Sequence, residues 1–265
     1  MSDFFIKRVG PNSIENKLPD SQNYFKIMKD FEFQNKGGKV KICLLSTGVP
    51  SHCDVMNIKD MENFSADKNI LDEHGNATTL SGFITSDNPK GITGLSTNAE
   101  LTAAKIFNKN GKTNTPSIVA GLLWAIIKKS NVVVLPLATN IDDHSLKDAI
   151  NKAVKQQTII LTPFDDKNVN IYPFGYNNVI GVNYKTGTNK KWNISAENNI
   201  INIKPPRSFK FYTTYGEGQY AKMTGRQASL GIATSVVAIM INNIKKKRKR
   251  PTREAIIKEI NVFFS

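Results

Sequence analysis

Imidazoles and thiols, versatile carriers of catalysis and of metals, are few in this 265-residue chain. They comprise three histidines, His52, His74 and His144, and two cysteines, Cys43 and Cys53. Imidazoles and thiolates serve as general bases, nucleophiles or metal ligands, but metal sites need them at short, fixed spacings. These five are scattered, so neither a metal nor a cofactor is expected. The two cysteines read as buried, reduced thiols, one of them in a core strand. Arg226 stands out. It follows Thr224-Gly225, a turn signal, near the start of Lys222–Met240, a run of small and apolar residues with almost no charge. Such a run predicts a helix buried on nearly all sides. Unpaired N–H groups at a helix start make it a common place for a catalytic group or an anion. A guanidinium there opposes the macrodipole and costs from a few tenths to about 1 kcal/mol.

Hydrophobic period and turn signals give the elements that must position these residues. Val40–Leu45 (VKICLL), closed by Ser46-Thr47-Gly48, predicts a buried strand. Ala99–Phe107, Val132–Leu137, Thr158–Thr162 and Val179–Tyr184 predict further strands. Shorter β pieces are expected at Trp192–Ser195 and Ile200–Ile203, within a turn-rich region, 185–221. Helices are predicted over Ala77–Ser86, from Thr115-Pro116-Ser117 through Lys129, over Asp143–Gln156, and over Thr252–Phe263 with Thr252 as N-cap. Strands alternating with helices predict an α/β fold: a mostly parallel central sheet with helices on both faces. Residues 1–38 are polar and broken by Pro11 and Pro19, with a short helix expected around Ser21–Phe31. They read as an N-terminal extension packed on a domain of residues 39–265.

Net charge is +14, so an acidic partner or a plain lysine-rich surface is expected. The sharpest charge feature is Lys245, Lys246, Lys247, Arg248, Lys249 and Arg250, between the central helix and the last one. Three readings stand for this run: a solvated helix end whose cations suit the dipole, a contact with nucleic acid or acidic protein, or a nuclear-import signal in a eukaryote. No aromatic residue interleaves it, which argues against single-strand stacking. The N-terminus lacks the apolar core of a signal peptide, and no stretch reaches the roughly 18 apolar residues of a membrane span. A cytoplasmic location is therefore expected.

Four ordered segments resemble the subtilisin-like serine proteases, the subtilases. Lys41–Val55 (KICLLSTGVPSHCDV) is similar to the family's V-D-T-G-I-x-x-x-H-P-D-L strand. Asp72–Gly82 (DEHGNATTLSG) resembles D-x-x-G-H-G-T-H-V-A-G, and Val132–Thr139 (VVVLPLAT) resembles V-I-N-M-S-L-G. Thr224–Ser235 resembles the G-T-S-M-A-S-P-H-V-A-G helix start. Tyr172-Pro173 and Asn178–Val182 match a further stretch, Y-P-A-x-x-x-x-V-I-A-V. The resemblance implies the subtilisin-like three-layer α/β fold.

The family's chemistry uses an aspartate on the first strand, a histidine opening a helix and a serine opening the central helix. These positions fall on Ser46, Asn76 and Arg226. The oxyanion-binding asparagine falls on Asp165 or Asp166, where a carboxylate would repel a developing oxyanion. Using His74 instead of Asn76 requires a two-residue shift that spoils the match at Gly82. The family's substrate edge falls on Leu137, Ala138 and Thr139, in place of a Leu-Gly-Gly type stretch. Arg226 then either plugs the former groove by pairing with Asp165 or Asp166, or belongs to a pocket for a carboxylate ligand. The expectation is a non-catalytic, pseudoprotease member that binds, regulates or builds, with a protein partner such as an active subtilase or a larger assembly. The alternatives are an assembly subunit whose basic surface meets nucleic acid or acidic protein, and an enzyme with a relocated site.

Overall fold

The computed structural model describes residues 3–5, 13–15, 35–55, 57–166 and 171–265. Its elements are β1 Asp3–Phe5, β2 Ser13–Glu15, β3 Lys41–Ser46, β4 Ile58–Asn63, α1 Asn76–Ile84, β5 Glu100–Lys105, β6 Lys112–Asn114, α2 Thr115–Ile127, β7 Val132–Val134, α3 His144–Lys155, β8 Ile159–Phe164, β9 Ile180–Tyr184, β10 Asn193–Glu197, β11 Ile200–Lys204, β12 Phe211–Tyr215, β13 Gln219–Met223, α4 Gly225–Lys246 and α5 Arg253–Phe264. The helix expected around Ser21–Phe31 lies outside the described residues.

An eight-stranded sheet runs β10-β11-β9-β8-β7-β3-β5-β4. Every neighbouring pair in it is parallel except β10 with β11. The central strands are apolar on both faces because both faces are covered. Ile42 and Leu44 point into the core beneath α1, α4 and α5, whereas Cys43 and Leu45 point into the core beneath α2 and α3. The result is three layers, helix, sheet and helix, as the alternating pattern predicts.

β7 ends at Val134, three residues short of the sequence expectation. Pro136 has no N–H for a ladder, and Leu137 N–H turns back to Leu135 O at 2.7 Å. The edge strand β4 and the hairpin of β12 and β13 were not foreseen. Their residues alternate weakly and carry many polar groups, as the exposed IKDMEN of β4 illustrates. Part of the N-terminal segment joins the domain, β1 pairing with β6 and β2 with β13.

The central helix forms as its composition dictates, with fifteen residues buried. Thr224 and Gln227 cap it reciprocally, the Gln227 Oε1 accepting from Thr224 N at 3.4 Å. At Gly231 a Cβ would come within 2.6 Å of the Phe83 Cβ, so this glycine sets the close approach of α1 and α4. Contrary to the sequence expectation, α4 is long and apolar enough to cross a membrane, but 83% of that stretch is buried inside the domain, as in a core helix.

Helices α2, α3 and α4 all end at the amino edge of the sheet, and all end alike. Each closes with a pair of reversed bonds: Ser130 to Ala125 and Lys129 to Ile126, Thr158 to Ala153 and Gln157 to Val154, Lys249 to Ile244 and Arg248 to Lys245. This is the Schellman arrangement, which sets one residue in the left-handed region, usually glycine. Here those residues are Lys129 (φ 54°), Gln157 (φ 64°) and Arg248 (φ 55°). A residue with a Cβ pays about 1 kcal/mol relative to glycine at such a position.

Candidate functional site

In an open parallel sheet the carboxyl ends of the strands face the helix N-termini, and ligands bind at that edge. The residues singled out by sequence gather there. Ser46 ends β3, Asp165 follows β8, Leu137–Thr139 follow β7, and Asn76 and Arg226 open α1 and α4.

A buried polar network sets the first part of the site. Asp72 accepts four hydrogen bonds: from Thr47 Oγ1 (2.7 Å) and Gly75 N (2.8 Å) on Oδ1, and from Thr78 N (2.7 Å) and Thr78 Oγ1 (2.8 Å) on Oδ2. Thr47 Oγ1 in turn accepts from Ala77 N at 3.1 Å. The end of β3 and the first turn of α1 are thereby tied into one piece, and Gly75, at φ 92°, supplies the left-handed residue between them. On this frame Asn76 Nδ2 donates to Ser46 Oγ at 3.2 Å. The side chain that meets the end of β3 is Asn76; His74 is buried two residues earlier. Neither an amide nor a hydroxyl in this pair titrates near neutral pH, so the contact fixes position without moving a proton.

The second part is an ion pair. Arg226 Nη1 lies 2.7 Å from Asp165 Oδ2, with the guanidinium side chain 67% exposed. Asp166 turns away, accepting from Asn183 Nδ2 at 2.9 Å and facing Lys185 at 3.4 Å. An exposed pair of this kind contributes about 0–1 kcal/mol, which offsets the unfavourable placement of a cation at the start of α4. A guanidinium stays protonated and has no lone pair to offer a carbonyl or accept a proton.

The stretch Leu137–Thr139 is largely committed to the domain. Thr139 and Tyr172 exchange backbone bonds of 2.9 and 2.7 Å, and Leu137 O accepts from Thr162 Oγ1 at 2.6 Å. Of the three residues, Ala138 is the exposed one.

Sequence reasoning missed Lys105, which ends β5 beside Ser46 in the sheet register. Its side chain is fully buried, and Nζ donates to Asn69 O (2.8 Å) and Leu71 O (3.0 Å) with Asp67 Oδ2 at 3.2 Å and Glu73 Oε2 at 3.7 Å. This ammonium ties the loop before α1 to the sheet. The only sequence signal was a lysine closing an otherwise apolar strand, LTAAK.

The histidine and cysteine expectations are met unevenly. Cys43 is buried, and burial pushes its thiol up to about 12; Cys53 is exposed, against expectation. The ligand atoms of His52, Cys53 and Asp54 lie within 4.8 Å of one another, a grouping sequence spacing did not suggest. Asp54 and the Nδ1 of His52 are already engaged. Asp54 accepts from Asn88 (2.6 Å), Ile92 N (2.8 Å) and Tyr220 (3.0 Å), and His52 Nδ1 accepts from Asp54 N (3.1 Å). His144 is the first residue of α3. The run Lys245–Arg250 lies at the opposite, amino edge of the sheet, away from all of these.

A three-layer α/β domain with its polar residues gathered at the carboxyl sheet edge is the class that fold and site define. The chain belongs to the subtilase family, whose pattern matches residues 37–262. Relatives include the minor extracellular protease Epr of Bacillus subtilis, 24% identical over 264 residues, 98% of this chain and 41% of that protein. Subtilisin DY of Bacillus licheniformis is 24% identical over 215 residues, 78% of each chain. The major intracellular serine protease of Bacillus subtilis is 25% identical over 256 residues, 91% of this chain and 80% of that protein.

Proposed function

We propose that this chain is a non-catalytic subtilase, a pseudoprotease that works by binding another protein at the carboxyl edge of its sheet. The observation that carries this reading is Arg226. It stands at the start of α4, where the family resemblance puts the nucleophile, and is held there by Asp165. A serine protease needs an attacking oxygen, a base within hydrogen-bond reach and donors for the oxyanion. Arg226 supplies no attacking atom, Asn76 no base, and Asp165 brings negative charge to the place that would have to stabilise it. The scaffold that would hold such groups is present in the Asp72 network, which supports descent from a catalyst and retention of its shape. Loss of one triad member alone lowers kcat by several orders of magnitude, and here three positions differ.

The test is hydrolysis of a panel of fluorogenic peptides by purified protein, with Arg226→Ala and Asn76→Ala variants alongside. The expected outcome is no turnover above buffer for any of the three. Turnover by the parent chain that either variant abolishes would overturn the proposal.

A further inference from the structure

The amino edge of the sheet, at the opposite end from Ser46, Asn76 and Arg226, gathers cations from separate parts of the chain. Asn131 is the hub. Its N–H donates to Lys41 O at 2.9 Å, and its Oδ1 accepts from Lys41 N at 3.1 Å and from Lys245 Nζ at 3.3 Å. The start of β3, the turn after α2 and the last turn of α4 therefore meet. Lys129, Lys246, Arg248, Lys249 and Arg250 are exposed around this junction. Among the described residues none of these five is in a salt bridge, whereas the neighbouring Lys128 and Lys247 are taken up by Asp60 and Glu259. One acid, Glu100, lies beside Lys41 in the register.

Helix dipoles do not account for this patch. Their pull falls off within the last turn, where Lys245 and Lys246 already stand. Arg248 and Lys129 lie beyond the caps, in left-handed positions where glycine would make the protein more stable. Two of the three left-handed caps carry cations, and both add their charge to this exposed face.

We propose that this face docks the phosphate backbone of double-helical nucleic acid. Point charges drawn from several segments match a surface of closely spaced phosphates. The run Lys245–Arg250 has no aromatic side chain on which bases of a single strand could stack. The exposed apolar side chains on α2, Leu123 and Ile127, are too few to anchor the face in a lipid interface. Binding is independent of sequence and of any role of the carboxyl edge.

The test compares the parent chain with three variants for binding to a labelled mixed-sequence duplex of about 30 base pairs, across about 50 to 200 mM salt. Lys129→Gly combined with Arg248→Gly is expected to raise Tm by about 4–8 °C. It is also expected to weaken duplex binding roughly tenfold and to flatten the slope of log affinity against log salt by about 2. Gln157→Gly relieves the same backbone conformation without losing charge, and is expected to raise Tm with affinity unchanged. Lys190→Gln with Lys191→Gln removes two exposed cations between β9 and β10, and is expected to leave affinity within about twofold. A double glycine variant that gains stability and binds as before would overturn the proposal. So would an equal loss in the Lys190/Lys191 control, or binding to anionic phospholipid vesicles in preference to the duplex.

Discussion

Arg226 shows how little a single side chain at this site has to do with holding the fold. The dipole penalty at the head of α4 and the gain from Asp165 are both of order 1 kcal/mol or less, and they oppose. His52 is different, because it is buried and its Nδ1 accepts from Asp54 N. Burial holds its imidazole below the usual 6.5, and the nearby Asp54 carboxylate only partly restores it. The folded state thus prefers the neutral ring. Below about 6.5 the unfolded chain takes up a proton that the folded chain resists, so stability present at neutral pH is lost as pH falls through that value. Urea unfolding at about pH 7.5 and about pH 5.5 should show the parent chain losing stability over this interval. His52→Asn keeps an acceptor for Asp54 N and removes the titration, so its loss should be smaller. An identical pH dependence in both would mean that His52 is not responsible.

Secondary elements were legible in proportion to their apolar content. β3, β5, β8, β9 and α4 could be read because burial on both faces leaves an unbroken apolar run, and α3 because Asp143 caps it and lysines close it. β4 and the β12–β13 hairpin could not, since their polar residues carry no strong period. The candidate site divided the same way. Ser46, Asn76 and Arg226 could be proposed from their neighbours in the chain. The Asp72 network, spanning residues 47 to 78, and the burial of Lys105 depend on contacts between distant segments. Asp72 joins two elements, and its removal tests that joint. Asp72→Ala strands Thr47 Oγ1 and the N–H groups of Gly75 and Thr78 in a buried site, at a cost of about 3 kcal/mol in urea unfolding. A cost under about 1 kcal/mol would show that the end of β3 and the start of α1 are held together by something else.

At the scale of the molecule, the two edges of the sheet have parted in character. The carboxyl edge holds a tight polar frame around Asp72, with Asn76, Ser46 and Arg226 at the positions the proposed reading gives to the family's reactive groups. The amino edge carries cations that form no salt bridge among the described residues, two of them, Lys129 and Arg248, in left-handed positions. An active-site-directed fluorophosphonate forms a bond only with a serine oxygen that a base has activated, so it reads the central claim without assuming a substrate. Intact-mass analysis after exposure to excess probe should return the unmodified mass of the chain. Stoichiometric addition of one probe at a single serine, lost on prior unfolding, would contradict the account.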